Sequence, residues 1–241
     1  DRIDSSSTED VKSKLEAGFY KLYVVYTENG IPKTSSAISI QVNKVPLAYP
    51  SIMPETLTYS ADIQSWAITD YVEGITEPVI SCSVHGTLGD SSDCEAYVGK
   101  DTDGTYKLFA KHQGTYTLSF KLSSEGEKNY IWDGNAVSYN ATISRGQPII
   151  LLDSDGGGLS GWIYGEVQTP KFIAKLSGGS KILGVGEIEW NEANITFSKG
   201  MTEIECKYSD ITSLDPSSFS AGNWTLKVYV PEEASNNLLE A

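Results

Sequence analysis

A chain of 241 residues is long enough for one large core or for two to three small ones. Its 32 acidic residues against 18 basic ones give a formal net charge of −14, which leaves little to replace the counterions of a nucleic acid and argues against such a partner. Tyrosine is abundant at 14 and methionine scarce at 2, the composition of a solvent-facing all-β protein.

The longest aliphatic run, Ile149-Ile150-Leu151-Leu152, is far too short for a membrane span, so membrane insertion of this segment is not expected. The chain opens on Asp1 and a charged stretch rather than on a signal peptide, and reads as a mature or excised piece of a longer protein. Residues 8–15 offer one helical turn. The first firm element is a strand over 18–26, and 37–44 alternates as a second. A proline-bearing segment, Val45-Pro46-Leu47, follows it. Weaker strands are expected over 57–59, 66–68, 79–84 and 106–109. A strong one covers 114–122 and another 137–145, which leads into Gly146-Gln147-Pro148. Further strands are expected over 162–167, 171–176, 188–190, 195–197 and 204–208, then a strong one over 222–230. No long segment carries helical periodicity, which disfavours folds built on a parallel sheet.

Three of these segments align. Each starts on a glycine, Gly18, Gly114 or Gly222. An aromatic follows at the second position after it (Tyr20, Tyr116, Trp224) and a leucine at the fourth (Leu22, Leu118, Leu226). Large apolar residues follow at the sixth and eighth, with polar ones mostly between. Period-2 alternation of this kind is a strand with one buried face. The copies stand 96 and 108 residues apart, the size of a sandwich domain. The boundaries that follow are 1–44 for the C-terminal part of one module, 45–146 for a complete module, and 147–241 for a module lacking its last strand. Residues 231–241 contribute only Leu238 and Leu239 as apolar material.

Gly114-x-Tyr116-x-Leu118 resembles the immunoglobulin pattern G-x-Y-x-C with leucine in place of the second cysteine. Segments 17–20 and 114–120, with Asn129-Tyr130-Ile131-Trp132-Asp133-Gly134, are similar to tandem bacterial Ig-like repeats of large cell-surface proteins. The resemblance implies an all-β fold of tandem Ig-like β-sandwich modules, with stalk, spacer and adhesive roles and no defined active site. It also implies a tyrosine corner at Tyr20 and at Tyr116, in which the hydroxyl ties the start of the strand to backbone upstream. Trp224 departs from the pattern, and the third module is expected to lack that bond.

Candidate sites are few. Cys82 and Cys94 lie 12 apart across a turn-rich segment and are either a disulfide or two small buried hydrophobes; Cys206 makes the count odd. His85 and His112 are the only histidines, too few for a His-based zinc site. Gly89-Asp90-Ser91-Ser92 reads as a polar turn, since no triad can be placed around it. Asp153 and Asp155, before Gly156, are candidate calcium ligands, as are Asp101 and Asp103 more weakly; a hairpin turn explains either pair. Apart from calcium no cofactor is expected. Trp132 with Tyr130 is a candidate stacking platform, against core packing as the alternative. Asn140, Asn194 and Asn223 stand in glycosylation sequons, relevant only to a eukaryotic source. Lys44, Asn43 and Asn140, on closing strands, are candidate partners for a Lys–Asn isopeptide bond.

The expected function is an extracellular, cell-surface structural region, a stalk, spacer or filament segment whose partners are neighbouring Ig-like modules, and not an enzyme. One alternative is an adhesin or carbohydrate-binding module that takes a glycan or host protein on loops and exposed aromatics. The other is a decorating domain of a virion or of a secreted enzyme.

Overall fold

A computed structural model describes residues 15–153 and 167–241. The chain begins with a ribbon of four strands, β1 (Gly18–Leu22), β2 (Val25–Glu28), β3 (Ile31–Thr34) and β4 (Ile38–Val42). The turn between β2 and β3 is Asn29-Gly30, both at positive φ (53° and 78°), the backbone that a two-residue hairpin requires. β1 pairs antiparallel with β4 from Gly18 opposite Val42 to Leu22 opposite Ile38. Phe19, Val24, Ile31 and Ile38 remain exposed on this ribbon.

The middle of the chain supplies β5 (Val45–Ala48), β6 (Ser51–Ile52), β7 (Thr56–Thr58), β8 (Gln64–Thr69), β9 (Thr76–Val84) and β10 (Thr87–Asp90). They are followed by β11 (Tyr97–Lys100), β12 (Tyr106–Ala110), β13 (Gly114–Leu122), β14 (Tyr130–Asp133) and β15 (Tyr139–Ser144). Two sheets form, ordered β11-β12-β8-β6 and β10-β9-β13-β15-β7. This is the immunoglobulin arrangement, with strands D, E, B and A facing C, F and G, and β10 extending the second sheet as C′ does. The longest pairing is β9 with β13, nine residues in continuous register from Gly114 opposite Val84 to Leu122 opposite Thr76.

Alternation puts Tyr116, Leu118 and Phe120 inside and leaves Lys121 exposed, with Thr117 and Ser119 half-buried; Leu122, at the strand's end, is also half-buried. Trp66, Ile68, Leu108, Ala141 and Ile143 complete the core from the neighbouring strands. Gly114 is required by close approach: a Cβ there would stand 2.5 Å from the Ser83 carbonyl oxygen.

Segment 130–133, whose Trp132 and Asp133-Gly134 look like a loop in the sequence, is instead a strand. β14 pairs in parallel with β5, the strand that leads from the first ribbon into the middle sandwich. The third region holds β16 (Pro148–Leu152), β17 (Phe172–Leu176), β18 (Asn194–Lys199), β19 (Thr202–Lys207) and β20 (Thr225–Tyr229). β16 pairs with β17, and the other three are ordered β19-β18-β20, around a core of Ile195, Phe197 and Ile211. The strand expected at 188–190 is replaced by a 3₁₀ turn over Trp190–Glu192, because Glu189 donates its N–H to the Ala234 carbonyl instead of to a ladder.

The first ribbon and the third region attach at opposite ends of the middle sandwich. Near Leu122, Asn129 Oδ1 accepts from the Ala17 N–H at 2.8 Å, and the Lys44 ammonium reaches the Glu127 carbonyl. Near Gly114 the third region docks. Truncating Leu118 to alanine is expected to destabilise the chain by about 2–5 kcal/mol, through lost transfer energy and a residual cavity, read from the denaturant midpoint at unchanged slope.

Candidate functional site

Three aromatic corners share one geometry. The Tyr20 hydroxyl donates to the Glu16 carbonyl (2.8 Å) and the Tyr116 hydroxyl to the His112 carbonyl (2.6 Å). The Trp224 indole N–H donates to the Ser220 carbonyl (2.9 Å). Each bond spans four residues. The expectation that the third region lacks a corner bond is therefore corrected: the indole Nε1–H is itself a donor and reaches the same carbonyl position. Burial pushes the Tyr116 phenol up to about 12, so the hydroxyl stays protonated and donating at any physiological pH.

The Tyr116 corner fixes residues 111–113, and these form one wall of the junction with the third region. The Gln113 N–H donates to Asn237 Oδ1 at 3.1 Å. Asn237 sends its own Nδ2 toward Glu187 Oε2 at 3.4 Å, while the Tyr59 hydroxyl donates to Glu187 Oε1 at 2.7 Å. The Gly146 N–H donates to the Asn237 carbonyl and the Leu239 N–H to the Gly146 carbonyl, at 3.0 and 2.9 Å. Gly146 and Leu238 thus form a parallel bridge, and Leu238 is fully buried in a core that runs on from the middle sandwich. A Cβ at Gly146 would stand 2.7 Å from Leu176 Cδ2 and 3.0 Å from the Tyr59 carbonyl oxygen. Ion pairs Arg145–Glu232 and Lys181–Asp62 close the rim. Sequence reasoning missed Tyr59, Gln113, Glu187 and Asn237 altogether. Their one signal was Leu238 and Leu239 in an otherwise polar tail.

The predicted site residues are dispersed. Cys82 on β9 and Cys94 are joined in a disulfide that ties β9 to the segment after β10 rather than linking the two sheets. Cys206 is a half-buried free thiol, and burial raises its pKa. Asp90 accepts from the Ser92 N–H at 2.8 Å, a turn held by its own side chain. Asp101 accepts from the Thr102 N–H and pairs with Lys107; Asp103 accepts from the Thr105 N–H. Asp153 directly follows β16 and donates its N–H to the Lys171 carbonyl, and Asp155 lies outside the described residues. Trp132 is half-buried and packs edge-on against Tyr49, with ring centroids 4.9 Å apart; Tyr130 is also half-buried. Asn140, Asn194 and Asn223 are exposed, and Asn140 accepts from the Thr117 hydroxyl. The candidate isopeptide partners do not meet, since Lys44 engages Glu127 and Asn140 engages Thr117. Among the described residues no group of three or more His, Cys, Asp or Glu is placed to hold a metal, and no helix is long and apolar enough to cross a membrane.

No protein-family model and no curated protein matches the sequence. Among solved structures, a titin structure is similar over 65% of this chain and 73% of its own, at 15% identity and a TM-score of 0.30.

Replacing Asn237 by alanine leaves the Gln113 N–H without its acceptor and takes one of two donors from Glu187, which keeps the Tyr59 hydroxyl. The expected cost is about 1–3 kcal/mol, measured by chemical denaturation.

Proposed function

We propose that this chain is a structural segment of an extracellular surface protein, a stalk or spacer built from Ig-like modules in series, and that it performs no catalysis. The observation that carries the reading is the attachment of its neighbours at opposite ends of the middle sandwich. The first ribbon meets the end near Leu122 through Ala17, Asn129 and the parallel pair β5/β14. The third region meets the end near Gly114 through Gln113, Gly146 and residues 237–239. Between those ends runs β13, which at about 3.3 Å per residue sets a length of roughly 26 Å.

Other features agree with the reading. The order β19-β18-β20 matches β10-β9-β13, with a glycine–aromatic corner opening β20 as it opens β13. The parallel bridge between Gly146 and Leu238 matches the parallel pairing of β7 with β15. Units repeated in this way serve as tandem modules of a surface protein, and a disulfide fits an oxidising, extracellular setting. The partners in this reading are further Ig-like modules of the same protein. The packing of Trp132 on Tyr49 favours a structural role for that ring over an adhesive one.

Small-angle scattering at neutral pH tests the reading. An elongated particle with a narrow distribution of lengths is expected, and Gly146→Val, which puts a side chain against Leu176 and Tyr59, should broaden it. A globular envelope, or a wild-type distribution as broad as that of the variant, would refute it.

A further inference from the structure

The loop that joins β10 to β11 is held from several sides. Cys94 ties it to Cys82 on β9. Asp90 accepts from the Ser92 N–H at 2.8 Å, and Asp93 Oδ2 accepts from the Asp90 N–H at 3.1 Å. The Cys94 N–H donates to the Asp90 carbonyl and the Ala96 N–H to the Ser91 carbonyl, both at 3.1 Å. A Cβ at Gly89 would stand 2.5 Å from Asp93 Cβ, which leaves no room for a larger residue. Glu95 lies at φ 49°, a left-handed backbone that costs a non-glycine residue, and strain of this kind gathers at binding sites.

This loop borders a cleft of about 380 Å³, whose walls include Ile63, Ser91, Ser92, Glu95, Tyr97 and Lys111. Tyr97 stands opposite Phe109 in the ladder, and Phe109 opposite Ser65. Alternation puts these three on the face of the sheet away from the buried Trp66 and Leu108. The Tyr97 ring stacks on that of Phe109, with centroids 5.1 Å apart and planes 20° from parallel, and the residue stays 52% exposed. It reaches over Gly99, where a Cβ would stand 3.3 Å from Tyr97 Cε2. The Ser91 and Ser92 hydroxyls and the Lys111 ammonium make no hydrogen bond with the described residues. Glu95 commits one oxygen, Oε2, to His112 Nε2 at 3.2 Å.

We propose that this cleft is a saccharide-binding site, with Tyr97 as its stacking platform and Ser91, Ser92, Glu95 and Lys111 as its hydrogen-bonding rim. Small-ligand sites of this size join an apolar surface to a few placed polar groups. An exposed flat ring with Ile63 beside it suits a ligand that has an apolar face. Uncommitted hydroxyls suit one that offers both donors and acceptors. A pyranose does both. In a gluco-configured ring with a β-linkage the substituents are equatorial, so an unbroken C–H face meets the electron-rich face of Tyr97. Glu95 and Lys111 offset each other, while the chain as a whole carries −14 and repels an acidic polysaccharide. The ligand class is therefore a neutral β-linked oligosaccharide. Because the disulfide and the Asp90 turn already fix the rim, binding has little ordering left to oppose it. The site is independent of the serial arrangement proposed above.

The test uses the full chain, isotope-labelled and titrated by NMR with cellotriose into the millimolar range. Saturable shifts of the amides of 91–97 and 111 are expected, with none from trigalacturonate, an acidic oligosaccharide. Tyr97→Ala removes the platform and should weaken binding about tenfold or more. Gly99→Val keeps the tyrosine but lifts its ring, and should weaken binding several-fold; so should Ser91→Ala combined with Ser92→Ala. Unchanged amide shifts along β9 and β13 show that each variant is folded. Absence of saturable shifts with cellotriose overturns the proposal. So does cellotriose binding that Tyr97→Ala and Gly99→Val both leave unchanged, and so does trigalacturonate binding as tightly as cellotriose. The tripeptide Gly-Trp-Gly is titrated as well, and shifts with it in place of cellotriose would make the cleft a peptide site. Scattering tests the serial arrangement separately, so the two readings fail independently.

Discussion

The hydrogen bond from the Tyr116 hydroxyl to the His112 carbonyl joins the two halves of this architecture. On one side of it runs β13, whose nine-residue register with β9 places Tyr116, Leu118 and Phe120 in the core. Because side chains alternate along a strand, a slip of one residue would turn all three to the other face. Gly114 guards that register at its first rung, where no larger residue fits beside the Ser83 carbonyl. On the other side of the bond is the short loop 111–113, too polar to hold itself in place by burial. Once the corner fixes it, the loop presents the Gln113 N–H to Asn237 and the His112 ring to His85 and Glu95. Core packing and contact with the third region are thus two consequences of one constraint.

The disulfide plays a different part from the one it has in antibody domains, where it bridges the sheets against a tryptophan. Here Leu118 replaces a cysteine and Trp66 supplies the bulk, its ring 6.2 Å from that of Tyr116 and its indole N–H on the Glu55 carbonyl at 2.8 Å. Cys82 and Cys94 close a 12-residue excursion around β10 instead. In the chain-entropy view such a closure stabilises by limiting the unfolded chain.

Much of this was legible in the sequence wherever a strand paired through a buried alternating face. β13, β15, β8 and β20 fall within or close to the segments that alternation marks out, and glycine followed by an aromatic located all three corners. What escaped depended on a distant partner. Tyr130-Ile131-Trp132-Asp133 looks like a loop because its pairing strand, β5, stands about 85 residues earlier. The Asn29-Gly30 hairpin carried its own turn signal, but the broad apolar run over 18–26 concealed the break between β1 and β2. The junction was the least legible part. Asn237, Glu187, Tyr59 and Gln113 share no motif, and only the folded chain brings them to one place. Trp224 shows the opposite error, in which a departure from a motif was taken for loss of its bond, although the indole could make it.

Amide hydrogen exchange in the wild-type chain and in Tyr116→Phe measures the coupling most directly. The substitution keeps the ring and removes only the hydroxyl, a loss of about 1 kcal/mol for a typical bond. If the corner positions the junction, the Gly146 and Leu239 amides, bonded across it, should be protected in the wild type and lose protection several-fold in the variant together with Gln113. Unchanged exchange at Gly146 and Leu239, with losses confined to the middle sandwich, would contradict the account.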